Sequence, residues 1–405
     1  MQITMTGFDS LPALTAEELG AIEAHTRATL ADLLGNDSLS PATVRAYTSA
    51  LRYWDAWHRA ATGTPLPLLR QPRDCVDAAT VCAFIAHHSP ERGPDGLIRC
   101  AMPEPVRRRM REIGVIGRRQ AQHRAAPVDA ELPTLATIRQ RIAALSACHR
   151  LARLTPPFAD DPAVRQALRA LANRASKSAP AMLRKPKAPV LRDVLEAMLR
   201  DCRTDGLRGL RDAALLHVAF HTGGRRRSEL AAMRWRDLAP FTLPEPIEGV
   251  ADGWLWTLSE MKGRRLDRAE GGIMQVPILG AAADALDRWR DVVLAAGKGS
   301  AADPVWWRLI PAREGEGWVL STPMIATDVW RIVRERAGRV GLDPCQFGAH
   351  SLRSGAATTF LLEGGMLADA SAMLGHAKLD TTREYYDRRG VPVAALARLV
   401  GRHKG

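Results

Sequence analysis

The stretch "HTGGRRRSELAAMRWRDL" at residues 221–238 is the part of the sequence from which the fold can be argued. In it, three consecutive arginines follow two glycines and precede a Ser-Glu-Leu triplet. On its own, an arginine cluster is most often a solvated surface. Its meaning changes because two further stretches also carry polar, reactive side chains: "FGAHSLRSGAATTF" at residues 347–360 and "MLGHAKLDTTREYYD" at residues 373–387.

Together, the three stretches contain most of the side-chain types that are needed to cleave a phosphodiester with an amino-acid nucleophile. Two arginines can hold the non-bridging phosphate oxygens and stabilise the charge that develops in the transition state. Histidines can bind the phosphate or transfer a proton, a lysine can protonate the leaving oxygen, and a phenol can attack. The combination therefore indicates phosphoryl-transfer chemistry.

Residues from about 190 to 390 resemble the catalytic domain of the tyrosine recombinase, or phage integrase, family. The family's first arginine lies in a G-x-R-x-S-E-L pattern, which "GRRRSEL" matches with Arg226. Arg225 is the alternative, because three arginines are adjacent and a second glycine displaces the preceding Thr-Gly pair. The Ser-Glu-Leu triplet is the anchor that favours Arg226.

The other motifs of the family follow in order along the chain. "HSLR" matches its H-x-x-R motif and gives His350 and Arg353, which are three residues apart and can face one site from the start of a helix. "LGH" followed by "TTREY" matches the closing pattern and gives His376 and Tyr385. Tyr386 lies one position out of register with that pattern.

The resemblance implies a mechanism in which Tyr385 attacks the scissile phosphate, forms a 3′-phosphotyrosyl link and frees a 5′-hydroxyl. The family's lysine on a β-turn is assigned to Lys262 in "EMKGRR", which would protonate the leaving 5′-oxygen. The covalent link retains the bond energy, so no cofactor, ATP or metal is implied. The remaining roles would be phosphate binding by Arg226, Arg353 and His376, and transfer of the tyrosine proton by His350.

The resemblance also implies the partners. They are double-stranded DNA with specific recombination sites and a homo-tetramer that exchanges strands between two such sites, with accessory DNA-bending or directionality proteins as further candidates. A type IB topoisomerase shares the chemistry but relaxes DNA, and a helical N-terminal domain with a terminal helix near residues 391–400 favours a recombinase. A non-catalytic DNA-binding descendant or a basic helical adaptor would leave the ordered set of reactive residues unexplained.

Composition bounds the class of protein. The 405 residues are 46% hydrophobic and 25% charged, which is typical of globular proteins and argues against a disordered or fibrous chain. The formal net charge of +13 is expected of a polyanion-binding protein, although a solvated basic surface or an acidic membrane face would also account for it. Six scattered cysteines, no signal peptide and no membrane-span pattern predict a reduced, cytoplasmic protein without membrane attachment.

The predicted fold is mainly α with a small β-sheet in the C-terminal domain. The length of the chain, 405 residues, favours two domains. We expect a helical, DNA (core)-binding domain over residues 1–175, a basic linker over 176–189 and the catalytic tyrosine recombinase domain with a C-terminal helix over 190–405. The assignment of the first domain follows only from its helical layout and position.

Local signals predict individual elements. Helix starts are expected at Thr15, Ser40 and Asp161, which are side chains that cap helices. The stretches "GWLWTLSEM" and "GGIMQVPI" predict a hairpin around a polar turn. Residues 89–131 contain Pro, Gly and two arginine clusters without a clear period, which indicates an irregular basic segment.

Overall fold

The computed structural model describes Ala24 and residues 39–67, 75–116, 132–183, 187–247, 249–258, 274–312 and 317–374. The chain forms two compact units, Met1–Lys185 and Pro186–Gly405. The division lies within the stretch expected to be a linker, and the roles of the two units remain predictions. Within the described residues, no helix is both long and apolar enough to cross a membrane.

The first unit is a helical bundle with one short antiparallel hairpin. Its described elements are α1 (Pro41–Thr62), α2 (Ala78–His87), β1 (Pro90–Arg92), β2 (Ile98–Cys100), α3 (Glu104–Glu112), α4 (Leu135–Leu151) and α5 (Pro162–Ser178).

The helix starts predicted at Ser40 and Asp161 are confirmed. The Ser40 hydroxyl accepts a hydrogen bond from the backbone N–H of Thr43 at 3.1 Å, and the Asp161 carboxylate accepts one from Ala163 at 2.8 Å. Each satisfies a backbone donor that the first helical turn leaves without an intrahelical partner. The helix predicted to begin at Thr15 lies outside the described residues, apart from Ala24.

The irregular segment predicted over residues 89–131 is wrong for its first part. Residues 90–100 form the hairpin β1–β2, and Glu104–Glu112 form helix α3. Only Val106 and Met110 give α3 a buried face, and they are four residues apart among four arginines. Two apolar positions are too few to make a helical period visible in so charged a sequence. Residues 117–131 lie outside the described residues.

The core of the first unit is aromatic. Trp54 on α1 and Phe84 on α2 are fully buried, and their rings stack with centroids 3.8 Å apart. Beside them, fully buried His88 donates from Nδ1 to the carbonyl of Phe84 at 2.6 Å, and its Nε2 accepts from the Tyr53 hydroxyl at 2.7 Å. Both hydrogen bonds suit a neutral imidazole. Burial, opposed by the Phe84 bond, lowers the pKa of His88 to about 3.

The second unit surrounds a larger core with seven described α-helices and five strands. They are α6 (Arg192–Cys202), α7 (Gly206–His221), α8 (Arg227–Ala232), β3 (Leu238–Ile247), β4 (Val250–Leu258), β5 (Met274–Leu279), α9 (Ala281–Ala295), β6 (Trp307–Pro311), β7 (Trp318–Pro323), α10 (Ala326–Arg339), α11 (Ala349–Leu362) and α12 (Leu367–Leu374).

The predicted hairpin is confirmed as β4–β5, in which Trp256 pairs with Val276 in antiparallel register. The strand next to this hairpin, β3, was not predicted; it completes a sheet of order β3-β4-β5. Three prolines in "LAPFTLPEPI" hide this strand, since proline fits a sheet only where its missing N–H is not needed, as on an edge strand. The separate hairpin β6–β7 was not predicted either. The mainly α fold with small sheets is confirmed.

A buried ion cluster holds the helices of the second unit together. Arg336 on α10 is 0% exposed and donates to Asp201 on α6, to Asp205 before α7 and to Asp212 on α7, at 2.7, 2.7 and 2.8 Å. Arg211 also donates to Asp212, at 2.6 Å. Burial opposes the charged guanidinium, but the charge of Asp212 and the hydrogen bond that Arg336 donates to Asp201 outweigh it and raise the pKa of Arg336.

We expect Arg336→Met to lower the free energy of unfolding by about 3–5 kcal/mol, because it leaves buried carboxylates without their cation. Urea unfolding followed by circular dichroism measures the loss. The matched control is Arg331→Met on the same helix. That side chain is 64% exposed in its ion pair with Asp328, so its loss should stay below about 1 kcal/mol. Equal losses in the two variants would contradict a central role for the cluster.

We expect the first unit to lose stability in acid because of His88. Its folded pKa of about 3 lies below the unfolded value of 6.5, so the unfolded chain binds the extra proton as pH falls between them. The contribution of neutral His88 to the free energy of unfolding is fully present above pH 6.5, and about 2 kcal/mol of it should be lost by pH 5. His88→Gln should flatten the pH dependence of urea unfolding. An unchanged pH dependence in His88→Gln would exclude this cause.

Candidate active site

The arginine stretch forms the loop between α7 and α8. Gly223 and Gly224 have left-handed φ values of 79° and 69°, which suit glycine. A Cβ added to Gly224 would lie 2.1 Å from the Cα of Arg353 on α11, much closer than atoms can approach. The absence of a side chain at this position therefore lets the loop meet the helix that carries the H-x-x-R motif.

Arg226 sits at the start of α8 and is held by Glu229. The Glu229 carboxylate accepts from the Arg226 backbone N–H at 2.9 Å and from its Nη1 at 2.7 Å. The Arg226 side chain is 27% exposed and that of Glu229 only 5% exposed. The carboxylate thus orients the guanidinium while leaving part of it accessible. Glu229 was not predicted as a site residue, although an Arg and a Glu three residues apart at a helix start could have indicated the pair.

Arg225 points the other way, into the protein, and is 1% exposed. It donates from Nη1 to the sulfur of Met274 at 3.4 Å and from Nη2 to the carbonyl of Met373. Burial, followed by the charge of Arg353, lowers the pKa of Arg225 to about 10, so the guanidinium still carries its charge at neutral pH.

Arg353 lies in the second turn of α11 and is 3% exposed. It donates from Nη1 to the carbonyl of Gly224 at 3.1 Å and from Nη2 to the carbonyl of Leu374. His350, three residues earlier, is exposed. Because α11 begins at Ala349, both residues of the H-x-x-R motif lie in its first two turns, as predicted.

Helix α11 is fixed from its other side by the start of the second unit. The Val190 N–H donates to the carbonyl of Ser351 at 2.9 Å. Close packing accompanies this bond, because a Cβ added to Gly355 would lie 1.7 Å from the Val190 carbonyl oxygen. The chain before α6 therefore runs along the helix that carries His350 and Arg353.

The structure brings Arg225, Arg226 and Arg353 into one region around the Gly224 loop. Arg353 and Arg226 both lower the pKa of Arg225, while Glu229 raises it. Three cations and one carboxylate leave this group with a net charge of +2, which suits an anion such as a phosphate.

The other predicted site residues cannot be located. Lys262, His376, Tyr385 and the neighbouring Tyr386 lie outside the described residues, as does the expected C-terminal helix near residues 391–400. The described arginines nevertheless contact the segments next to them. Met274 is the first residue of β5, and Leu374 is the last residue of α12.

Comparison with known proteins reveals the same likeness in sequence and in fold. Residues 190–390 match the phage integrase family. Tyrosine recombinase XerC of Xanthomonas axonopodis pv. citri (strain 306) is 33% identical over 217 residues, which cover 52% of this chain and 60% of that protein. The integrase/recombinase xerD homolog of Selenomonas ruminantium is 30% identical over 231 residues, covering 55% and 60%. The chain thus spans little more than half the length of these relatives.

Among solved structures, the Tn1549 transposon integrase in complex with transposon right end DNA has a similar fold, with a TM-score of 0.51. It is 14% identical, and the alignment covers 94% of this chain and 99% of that one. At this identity the likeness bears on the fold alone.

We expect Gly224→Ala to destabilise the second unit by at least about 1 kcal/mol beyond the strain of an alanine at positive φ. The extra loss comes from the close approach to Arg353. Gly341→Ala is the control for strain alone, because Gly341 has a φ of 81° and nothing within 4 Å of an added Cβ. Urea unfolding of both variants measures the difference, and equal losses would show that the contact with α11 is not tight.

Proposed function

We propose that the protein is a site-specific DNA recombinase of the phage integrase family, which residues 190–390 match. It cleaves and rejoins DNA through a 3′-phosphotyrosyl intermediate and exchanges strands between two sites. The observation that carries the proposal is the convergence of the arginine loop and the H-x-x-R helix, where Gly224 and Arg353 meet. Two motifs 120 to 130 residues apart in the chain need such a contact to act on one phosphate.

Arg226 and Arg353 hold the scissile phosphate in this proposal. For Arg226, partial exposure and the carboxylate of Glu229 behind it support this role, because they leave the guanidinium accessible and oriented. For Arg353, which is 3% exposed, the support is its place in the H-x-x-R motif and its contact with the arginine loop at Gly224. Of the two adjacent arginines of the loop, Arg226 suits this role better, because the Arg225 guanidinium is directed inward at a carbonyl and a sulfur atom whereas the Arg226 side chain is 27% exposed. Planar guanidinium groups bind two phosphate oxygens at once, which lysine does not reproduce.

Tyr385 is the nucleophile in this proposal, and Lys262 is the general acid for the leaving 5′-oxygen. His350 takes up the tyrosine proton and His376 binds the phosphate. The exposed position of His350 at the head of α11 is compatible with access by DNA. Covalent storage of the bond energy makes the strand transfer reversible, so a 5′-hydroxyl from a second duplex can attack the link and complete the exchange.

The proposed partner is double-stranded DNA that carries specific recombination sites, bound by a homo-tetramer. A net charge of +13 supports binding to a polyanion, with affinity that falls steeply as salt increases. In this proposal the first unit binds the core site, the protein belongs to a mobile element, it acts in the cytoplasm, and accessory proteins set direction. The similarity to named recombinases supports strand exchange over the DNA relaxation of a type IB topoisomerase.

We expect Tyr385→Phe to abolish the covalent protein–DNA adduct, because the substitution removes only the attacking oxygen. The substrate is a nicked suicide duplex built on the inverted repeats that the proposal expects in the DNA flanking the gene, and denaturing gel electrophoresis detects the adduct. Tyr386→Phe is the matched control and should retain it. Fluorescence anisotropy should show equal DNA affinity for both variants and the native protein.

An undiminished adduct in Tyr385→Phe would overturn the choice of nucleophile. Loss of the adduct in Tyr386→Phe alone would move the nucleophile by one position. If the native protein binds the duplex but forms no adduct, a non-catalytic DNA-binding role replaces the proposed function.

A further inference from the structure

We infer that Arg225 is a positioning residue that joins the arginine loop to two other segments of the active site. This inference rests on the proposed function and deepens it. Arg225 occupies a variable position of the G-x-R-x-S-E-L pattern, immediately before the arginine proposed to bind phosphate. Its importance comes from its contacts and from its burial.

Burying an arginine is costly, so this one requires an explanation. The side chain is 1% exposed, and its Nε is buried without a hydrogen-bond partner among the described residues. Removing a charge from water is unfavourable unless the charge is well paired, whereas an apolar side chain of similar size would fill the same space without that cost. Simple packing therefore does not account for an arginine at this position.

The contacts of Arg225 explain what it does. Its Nη2 donates to the carbonyl of Met373 in the last turn of α12, three residues before His376. A cation is favourable there because the carbonyl end of a helix carries partial negative charge. Its Nη1 donates to the sulfur of Met274, the first residue of β5. The residues that precede β5 in the chain form the connection from β4 that contains Lys262. One guanidinium thus contacts both segments that lead to predicted catalytic residues.

Close packing around the same contact leaves little freedom. Gly223, which precedes the loop's second glycine, has a φ of 79°. A Cβ added to it would lie 2.4 Å from the Cγ of Met373. The end of α12 is therefore pressed against the backbone of the arginine loop and tied to it by Arg225. A small displacement of the arginine loop or of the end of α12 would change the distance between the arginines proposed to bind phosphate and the segment that follows α12.

The direct test compares Arg225→Met with the native protein on the suicide duplex. Methionine keeps an unbranched side chain in the buried space but cannot donate to the Met373 carbonyl. We expect the single-turnover rate of adduct formation at saturating DNA to fall about 100-fold, the cost of misplacing reacting groups by about 1 Å. The dissociation constant for the duplex should change by less than about twofold, because a buried side chain contributes nothing to phosphate contacts on the surface.

A duplex whose scissile phosphate carries no charge distinguishes a positioning role of Arg225 from a phosphate-binding role. In a methylphosphonate duplex, a methyl group replaces one charged non-bridging oxygen at the scissile position, so an arginine that neutralises this oxygen becomes less important. Arg226→Ala is the control: its loss relative to the native protein should shrink on the methylphosphonate. The loss caused by Arg225→Met should stay the same on both substrates.

Two outcomes would overturn the inference. A native rate in Arg225→Met would show that the contact positions nothing, and a loss that disappears on the methylphosphonate would make Arg225 a phosphate ligand. Should Arg225→Met not fold, Gly223→Ala tests the same contact with every charge retained, by pushing the loop away from Met373. The same slow, charge-independent cleavage is expected from it, and a native rate would overturn the inference.

The native protein and Tyr385→Phe, run beside these variants, keep the two proposals apart. If the native protein forms no adduct that depends on Tyr385, the proposed function or its choice of nucleophile fails. If that adduct forms and the Arg225 and Gly223 variants cleave like the native protein, only the positioning role fails.

Discussion

The ion cluster at Arg336 is the interaction on which the second unit depends most. One fully buried guanidinium binds carboxylates from α6, from the turn before α7 and from α7 itself. Helix α7 runs directly into the arginine loop, and α10, which carries Arg336, is followed by the helix of the H-x-x-R motif. The cluster therefore sets the framework from which both arginine motifs extend.

Close contact between like charges is the second constraint. Arg225 and Arg353 are nearly inaccessible and lie close enough for each charge to affect the other. Backbone carbonyls of Gly224, Met373 and Leu374 accept from them, so protein dipoles offset a repulsion that a single carboxylate, Glu229, does not neutralise. Preorganised positive charge of this kind stabilises an anionic transition state without reorganisation at the moment of reaction.

Much of this arrangement could be predicted from sequence, and the failures have physical causes. Capping residues and hydrophobic periods located the helices that start at Ser40 and Asp161, and β-favouring residues located β4–β5. Prolines concealed β3, and a run of arginines concealed α3. In the site, motif spacing placed the H-x-x-R pair at the start of a helix, but adjacent arginines look alike in a sequence. Only three-dimensional packing shows that Arg225 turns inward while Arg226 stays partly accessible.

The burial of Arg336 also has a practical consequence, which concerns ionic strength. Mobile ions screen charges that lie in water, but they act much less on a pair that water does not reach. The cluster that holds the second unit together is therefore largely insensitive to salt, whereas the proposed contacts with DNA phosphates would weaken steeply as counterions accumulate. If the protein binds DNA as proposed, concentrated salt should release the DNA and leave the fold intact, so that the same preparation regains binding on dilution.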